Sequence, residues 1–413
     1  MAPSGAIFVP PNPFTAMTTI ACPTVHTLDQ ILPDEPLLMM GAGPVPIPAP
    51  VAYANSLVIN HLGPVMGQVL NQVKDMARYV FQSQSPYILG VAGPGSATME
   101  MAMANLLEPG DRMLAVCNGY FSARMADMAR RVGAEVTEHL VEGTQCADPE
   151  AVLAQVRTLR PKVITLVQGE TSNTVWNRWL PEITRGASEL GCLVVVDAVC
   201  TLSTMPLHMD DWGIDAVLTG GQKGLSSIPG VSLIAFSERA FATIRQRRAP
   251  LTHWCLDAQK AYGFWSEGQY HYTAPTSGIL ALHEALRLVC LETLENRFAR
   301  HQSCSQALQA GVEGLGLSLF VEPTARLNSV VGIRLPDGVD SAALRLRMST
   351  EHKVEISGSF GMPIVRIGQM GEQSRAHHLF RTLHALGSAM RSQGAAIDLP
   401  GGMSELERSL SGQ

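Results

Sequence analysis

Short runs of apolar, often β-branched residues recur along the chain from about residue 87 and alternate with segments of helical period. These runs are YILGVAG (87–93), RMLAVCN (112–118), AEVTEHLV (134–141), KVITLVQ (162–168), CLVVVDAV (192–199), DAVLTG (215–220) and VSLIAFS (231–237). Nearly continuous apolar strands separated by helices are typical of a parallel sheet that is buried on both faces. The sequence therefore predicts an α/β fold whose large domain is built on a mainly parallel, seven-stranded sheet.

The remaining segments divide the chain into predicted parts. Residues 1–36 are rich in proline and have no helical or strand period, which is typical of an extended arm. The large domain is predicted over residues 37–290. A smaller α+β domain follows over 291–395, with strands expected in LNSVVGIRL, KVEISGSF and IVRIGQMG, and residues 396–413 are interpreted as a tail.

Charge and proline content disfavour two classes of partner. The net charge is −6 and no basic run occurs, so nucleic acid is not expected to bind. The uncharged stretches at residues 1–28 and 37–73 contain several prolines each, which argues against membrane-spanning helices.

The positions of the first basic residue and of the cysteines bear on where the protein is located in the cell and on whether it binds a metal. The first basic residue is Lys74, so the N-terminus lacks the positive region of a secretory or mitochondrial leader, and the expected location is the cytoplasm. Eight cysteines are scattered without a C-x-x-C pair, which argues against a zinc site and a disulfide framework. Charged residues are 16% and apolar residues 46% of the chain, a composition that fits a stable dimer.

Polar residues follow several predicted strands, where open parallel sheets bind their ligands. They occur in GPGSAT (93–98), in QGETSN (168–173), at Asp197 after CLVVV and in GGQK (220–223). Because the carboxyl ends of parallel strands share one edge of the sheet, we expect these residues to lie in one crevice.

GPGSAT stands between a strand and a helix and has two interpretations. Gly93 and Gly95 allow close approach of a phosphate that helix N–H groups hold, with Ser96 adding a hydroxyl. A tight turn with Ser96 as helix N-cap explains the same residues without a ligand. A dinucleotide fingerprint is disfavoured, because the third glycine is missing and the next acid, Glu100, lies inside the helix.

Asp197 and Lys223 add chemistry to this crevice. A buried carboxylate at Asp197 needs a cation or several donors, unless it caps a helix. A buried lysine at 223 tends to lose its proton, and a neutral amine is a nucleophile toward aldehydes, whereas a lone lysine after a strand is commonly a surface residue. A phosphate site, a carboxylate and an amine together are what pyridoxal phosphate requires.

With these residues the sequence resembles the class V aminotransferases of pyridoxal-phosphate (PLP) fold type I, in the alanine/serine–glyoxylate (or pyruvate) group. The resemblance extends from LLMMGAGPVPIP (37–48) to VRIGQMG (365–371) and is carried by GPGSATMEMAMANLLEPGD, CNGYFSAR, QGETSN, VVVDAVCTLSTMPLHMDDWGID, TGGQKGL and YHYTAPTSGILALHEAL. It implies a ping-pong transfer of an amino group from an amino acid or related amine to pyruvate or glyoxylate. It also implies a homodimer with shared active sites.

The resemblance further implies the role of each site residue. Lys223 would form the Schiff base with the cofactor, and Asp197 would pair with the ring nitrogen. Other cofactor contacts are implied at Gly95, Ser96, Ala97, Phe121, Thr171, Val199 and Gln222, with Tyr270 and Thr273 reaching the phosphate from the neighbouring subunit. Ala42 and Gly43 would line the substrate pocket, and Arg366 would hold the substrate carboxylate in the bidentate geometry of a guanidinium.

Some residues depart from the family pattern and leave substrate scope open. Pro94 stands where many members have serine, Gly221 replaces a serine before Gln-Lys, and Asn173-Thr174 replaces Thr-Gly. Trp176, Trp254, Phe264 and Trp265 either line a pocket for a large donor side chain or pack in the core.

The alternatives within the cofactor class are pyridoxamine–pyruvate and aminoethylphosphonate aminotransferases, lyases and desulfurases. A desulfurase needs a mobile cysteine, and Cys304 in a helical stretch is poorly placed for that role. Two alternative functions remain outside the pyridoxal-phosphate class: a nicotinamide-dependent dehydrogenase and a binding module that has no catalytic activity.

Overall fold

A computed structural model describes residues 20–412, and these residues fall into two units that meet between Pro36 and Leu37 in the sequence. In the first unit, residues 20–36 contain one short 3-10 helix, Leu28–Gln30, and are otherwise irregular. Thr27 N donates to Gln30 Oε1 at 3.1 Å across this turn. The part of the predicted arm before residue 20 lies outside the described residues.

The second unit contains the strands β1 to β13. They are β1 (Leu38–Met39), β2 (Tyr87–Ala92), β3 (Arg112–Cys117), β4 (Glu135–Leu140), β5 (Val163–Val167), β6 (Gly169–Glu170), β7 (Val175–Trp176), β8 (Leu193–Asp197), β9 (Ala216–Leu218), β10 (Val231–Phe236), β11 (Val330–Arg334), β12 (Val354–Glu355) and β13 (Ile364–Gly368).

The helices of the same unit are α1 to α13. They are α1 (Ala49–Asn55), α2 (Pro64–Phe81), α3 (Gly95–Leu106), α4 (Tyr120–Arg131), α5 (Pro149–Leu159), α6 (Leu180–Glu189), α7 (Glu238–Arg245), α8 (Ala258–Glu267), α9 (Thr276–Glu292), α10 (Leu294–Gly314), α11 (Ser341–Glu351), α12 (Ala376–Arg391) and α13 (Leu399–Ser411). Of the helices in residues 20–412, none combines the length and the apolar character needed to cross a bilayer.

The predicted seven-stranded sheet is present, in the order β2-β10-β9-β8-β5-β3-β4. Strand β10 is antiparallel to both of its neighbours and the other pairs are parallel. Its inner strands are buried along their whole length, as their continuous apolar sequences predict. Edge strand β4, EVTEHL, instead alternates apolar and polar residues and is partly exposed.

Helix termini follow local signals in the sequence. Asp148 accepts a hydrogen bond from Ala151 N at 3.1 Å and caps α5, which has Pro149 in its first turn. Ser237 caps α7 in the same way through Ala240 N, at 3.0 Å. The Asp148 cap therefore fixes where the crossover helix α5 begins between β4 and β5, and the Ser237 cap fixes where α7 leaves the sheet after β10.

Helices α10 to α13 and strands β11 to β13 share one core and are called the C-terminal layer; this layer differs from the sequence prediction at two places. Strand β1, at the start of the predicted large domain, pairs in parallel with β12, and Met40 is buried in the C-terminal core. Residues 396–413, interpreted as a tail, instead contain α13, which packs on α10 through the buried Leu406. The C-terminal layer is therefore built from residues at both ends of this unit.

Candidate active site

The loops that follow β2, β5, β8 and β9 meet at a cavity of about 160 Å³, at the carboxyl edge of the sheet. This is the crevice that the strand order predicts. Its lining consists of Pro94, Gly95, Ser96, Met99, Phe121, Arg124, Gly169, Thr171, Asp197, Val199, Cys200, Gln222 and Lys223. Ala97 lies in the adjacent first turn of α3.

The first turn of α3 forms one end of the cavity. Pro94 is the residue before the helix and no side chain caps it, so the N-cap interpretation of Ser96 is wrong. Ser96 Oγ instead accepts a hydrogen bond from Arg124 Nη1 at 2.7 Å. A Cβ at Gly95 would lie only 2.8 Å from Val199 Cγ2, which explains the glycine. Uncapped helix N–H groups beside a cation form a site for an anion such as phosphate.

Asp197 lies at the end of β8 with its side chain buried. Its Oδ1 accepts a hydrogen bond from Val199 N at 2.8 Å within a turn, and no helix begins there, so the interpretation of Asp197 as a helix N-cap is not supported. Burial raises the pKa of Asp197 to about 7, and the nearby Glu170 charge acts in the same direction. A cation placed beside such a buried carboxyl group would strongly favour its ionised form.

Lys223 lies in the turn after β9, opposite the segment that contains Ala42 and Gly43. Its Nζ donates to the Ala42 carbonyl. Gly43 has a φ of +99°, a backbone conformation that favours glycine. A Cβ at this position would also lie 2.4 Å from Lys223 Nζ, so any side chain here would collide with the lysine. Burial lowers the pKa of the Lys223 ammonium, and the Arg366 cation also lowers it. The amine is thereby shifted toward its neutral, nucleophilic form.

Aromatic and cationic side chains form the outer wall of the cavity. The Arg124 guanidinium lies 4.8 Å from the centre of the Phe121 ring, which is edge-on to Phe360 at 5.9 Å. Phe360 also stacks face to face on Tyr120, with ring centres 4.4 Å apart and planes within 5°. Phe360 belongs to the C-terminal layer, so this stack joins the two layers across the mouth of the site.

Arg366, on β13, reaches the same wall from the other side. Its Nη1 donates to the Thr171 carbonyl at 2.6 Å and its Nε to the Gly358 carbonyl at 2.7 Å. Burial lowers the pKa of Arg366 to about 10, so the guanidinium stays charged at neutral pH. These two bonds orient the guanidinium, which lies 5.2 Å from the centre of the Phe360 ring; Arg366 itself is not among the residues that line the cavity.

Two of the predicted cofactor contacts lie outside the cavity in the single chain. Tyr270 is 64% exposed, Thr273 is exposed, and neither lines the cavity. The four aromatic residues considered for a donor pocket also lie elsewhere. Phe264 and Trp265 are buried in the core, Trp254 is exposed, and Trp176 lines a separate cavity of about 710 Å³.

Comparison with known proteins identifies the family. The model of the family described as "Aminotransferase class-V" matches residues 52–376, most of the chain. The chain belongs to the class V aminotransferases.

Relatives of this class V aminotransferase include proteins of known activity. An alanine–glyoxylate aminotransferase of Drosophila melanogaster is 33% identical, over 87% of this chain and 93% of its own length. The crystal structure of the Bacillus subtilis ureidoglycine–glyoxylate aminotransferase is 30% identical and superposes with a TM-score of 0.90, covering 92% and 99% of the two chains. That of the Mesorhizobium loti pyridoxamine–pyruvate aminotransferase is 26% identical, with a TM-score of 0.87 and coverage of 92% and 99%.

These matches confirm the predicted fold and cofactor class. The α/β architecture is PLP fold type I, and the cofactor of this aminotransferase is pyridoxal phosphate. The residues at the cavity fit that group: an amine at Lys223, a buried carboxyl at Asp197 in need of a cation, and the uncapped N-terminus of α3. Gln222 also lines the cavity, and its side-chain NH2 is a donor of the kind that a phosphate accepts from.

Glu170 is a site residue to which the sequence analysis assigned no role. It is completely buried and accepts hydrogen bonds from Phe121 N at 3.1 Å, from Ser122 N at 3.0 Å and from Ser172 Oγ at 2.6 Å. This carboxylate caps the first turn of α4 from a distant segment and so fixes Phe121. Like Asp197, it is a carboxylate at the carboxyl end of a buried run of strand, here three residues after β5 ends and inside the short β6.

Proposed function

We propose that this aminotransferase moves an amino group from an amino acid or related amine to glyoxylate or pyruvate in two separate half-reactions. The proposal is carried by two groups that line one cavity, the Lys223 amine, whose pKa burial lowers, and the buried Asp197 carboxyl. The glyoxylate and pyruvate acceptors are named in its relatives.

Each residue has a distinct task in this proposal. Bound pyridoxal phosphate supplies an electron sink for the charge left when the substrate Cα loses its proton. Lys223 would hold the cofactor through its amine, and the same amine would accept the proton that leaves the substrate Cα. Asp197 keeps the ring nitrogen protonated, and Phe121 supports the ring. The α3 N-terminus, Ser96 and Gln222 hold the phosphate.

The cysteines of the chain argue against sulfur chemistry at this site. Cys200 lines the cavity, but burial raises its pKa to about 12, so it stays a neutral thiol that bonds the Gly169 carbonyl at 3.0 Å. Cys304 is buried in α10, and burial raises its pKa as well. A nucleophilic thiolate for desulfurase chemistry therefore has poor support.

A half-reaction assay tests the proposed function. The holoenzyme is mixed with alanine, serine, pyridoxamine or 2-aminoethylphosphonate, without acceptor, and the cofactor absorbance and the released carbonyl product are recorded. We expect one of these donors to bleach the absorbance and release one product per site, and glyoxylate or pyruvate to restore it. Product release that requires donor and acceptor together would contradict separate half-reactions. If pyridoxamine is the only one of the four amines that reacts, the protein has the donor of a pyridoxamine–pyruvate aminotransferase.

Arg366→Lys is expected to raise the KM of carboxylate substrates. Lysine keeps the charge but cannot bond the Thr171 and Gly358 carbonyls and a carboxylate together. We expect kcat/KM for an amino acid donor to fall by roughly 10²-fold, since charge-assisted bonds are each worth about 1.5–3 kcal/mol. An amine donor that lacks a carboxylate serves as the matched control and is expected to lose much less. Equal losses for both donors would exclude a carboxylate role.

The shared active site of a homodimer is part of the proposal. Its support is the position of Tyr270 and Thr273, which are exposed and lie outside the cavity of their own chain. Mixing inactive Lys223→Arg subunits with inactive Tyr270→Ala/Thr273→Ala subunits is expected to restore activity, because each hybrid then has one intact site. No recovery in proven hybrids would show that both groups act within one chain. A cytoplasmic location remains a prediction from the sequence.

A further inference from the structure

Arg297, on α10, is a buried cation that the proposed reaction leaves without a task. It is only 2% exposed. Its Nη1 donates to Glu292 Oε2 at 2.7 Å and its Nη2 to the Gly224 carbonyl at 2.6 Å. Its partner Glu292 is partly exposed, so the full desolvation cost, several kcal/mol for a buried ion, falls on the arginine, and such pairs stabilise a fold only weakly. Stability is therefore a poor explanation for placing this one in the core.

The charges of this pair persist at neutral pH. Burial lowers the pKa of Arg297 to about 10. Burial opposes ionisation of Glu292, but the hydrogen bond from Arg300 and the charges of Arg297 and Arg300 outweigh it and hold the Glu292 pKa at about 2. The hydrogen bond to Gly224 is thus charge-assisted, the stronger kind.

The bond from Arg297 acts on the residue next to Lys223. Ser203 Oγ donates to the same Gly224 carbonyl at 3.0 Å, and Arg297 Nε lies 3.3 Å from Ser203 Oγ. A Cβ at Gly224 would lie 2.3 Å from the Leu202 carbonyl oxygen, so the lysine turn packs directly on the segment that follows Asp197. Arg297 fastens these two pieces of backbone to each other.

The same helix also holds the loop after β13. Arg300 Nη1 donates to the carbonyls of Gly371 at 2.9 Å and Ser374 at 2.6 Å, and Arg300 shares Glu292 with Arg297. His301 Nε2 accepts from Gly371 N at 2.9 Å. Glu292 and α10 therefore connect the lysine turn to the strand that carries Arg366.

We propose that Arg297, paired with Glu292, is a positioning residue that fixes the backbone at Gly224 and so directs the Lys223 amine toward cofactor and substrate. The inference rests on the proposed role of Lys223. A lysine side chain has four rotatable bonds, so the position of its amine depends on a fixed backbone, and small errors in such positions cost rate steeply.

The Arg297→Lys holoenzyme tests this role. Lysine retains the charge but cannot bond Gly224, Ser203 and Glu292 at once. We expect kcat to fall by roughly 10²-fold while the donor KM changes little. We also expect pyridoxal phosphate to attach more slowly to Lys223 of the cofactor-free full chain, by a similar factor, as followed by absorbance. Ser203→Ala removes the second bond to Gly224 and the bond from Arg297 Nε but leaves Arg297 Nη2 on Gly224, and we expect a smaller loss of the same kind, of roughly threefold to tenfold.

Asp215→Asn provides a matched control for loss of a buried ion pair. Asp215 is buried, pairs with Arg239, and accepts from Val194 N at 2.9 Å at the opposite edge of the sheet. We expect it to lower the Tm as Arg297→Lys does, but to leave kcat and the attachment rate unchanged. The proposal is overturned if Arg297→Lys, like this control, leaves kcat and the rate of cofactor attachment unchanged. If Arg297→Lys does not fold, the proposal is overturned when Ser203→Ala leaves both of these rates unchanged. If mass spectrometry finds the wild-type cofactor on another lysine, the proposed function fails instead.

Discussion

Replacing Lys223 with arginine is expected to lower kcat by at least roughly 10³-fold, which is the largest loss that we predict for a single substitution. General acid–base catalysis alone contributes about 10²–10⁴-fold, and this residue is also proposed to hold the cofactor. Arginine preserves length and charge, but its guanidinium does not lose a proton and cannot act as an amine nucleophile. Single-turnover kinetics with an amino acid donor measure the loss.

Borohydride reduction followed by peptide mass spectrometry locates the lysine that holds the cofactor. In the wild-type enzyme the added mass is expected on residue 223, and in the variant it should disappear. Lys260→Arg is the control, because Lys260 lies 4.1 Å over the Trp254 ring and lines no part of the cavity. Undiminished amino transfer by Lys223→Arg would remove the central residue of the proposed function.

The parts of the site that could be predicted from sequence are those that directly follow strands. Gly95, Asp197 and Lys223 all come just after apolar runs, and the topology of a parallel sheet brings such positions together whatever the details of packing. Glu170 follows a buried strand in the same way, so the same rule identifies it as a candidate once it is applied to every carboxylate.

Other contacts depend on tertiary packing that no local pattern encodes. Arg124 lies inside α4, and its bond to Ser96 depends on how α4 packs against α3. Phe360 reaches Tyr120 from the C-terminal layer, 240 positions along the chain. Strand β1 has only two residues and pairs with β12, more than 300 residues away. Pairings between such short and distant segments leave no periodic signal.

Helix α13 is different, because its sequence contained a usable signal. Leu399, Met403, Leu406 and Leu410 have helical spacing and all contact the C-terminal core. Asp398 precedes them and caps the helix through Gly401 N at 3.0 Å. The helical spacing of these apolar residues and the cap at Asp398 predict a helix here and argue against the interpretation of residues 396–413 as a tail.

Replacing Asp197 with asparagine is expected to have opposite effects on stability with and without pyridoxal phosphate. In the cofactor-free protein, burial raises the Asp197 pKa to about 7, above the ordinary value of 3.8. The folded state then binds more protons than the unfolded state between these values, so stability falls as the pH rises through that window. Asparagine is neutral and can still accept the hydrogen bond from Val199 N. At pH 8 the cofactor-free variant should therefore be more stable than wild type, by on the order of 3 to 4 kcal/mol.

Bound cofactor reverses this preference, because a protonated ring nitrogen gives the buried carboxylate its counter-charge. Removing one partner of a buried ion pair costs about 3–5 kcal/mol, so the variant should gain less stability from the cofactor and lose roughly 10²–10³-fold in kcat.

Urea unfolding between pH 4 and pH 8, with and without cofactor, measures both effects on stability. At the lowest pH the cofactor-free proteins should converge, since both side chains are then neutral. Asp215→Asn, which removes a buried carboxylate away from the cavity, should destabilise both forms alike. A cofactor-free Asp197→Asn variant that is less stable than wild type at pH 8 would show that this carboxylate already has its partner within the chain, and that it is not kept for the ring nitrogen.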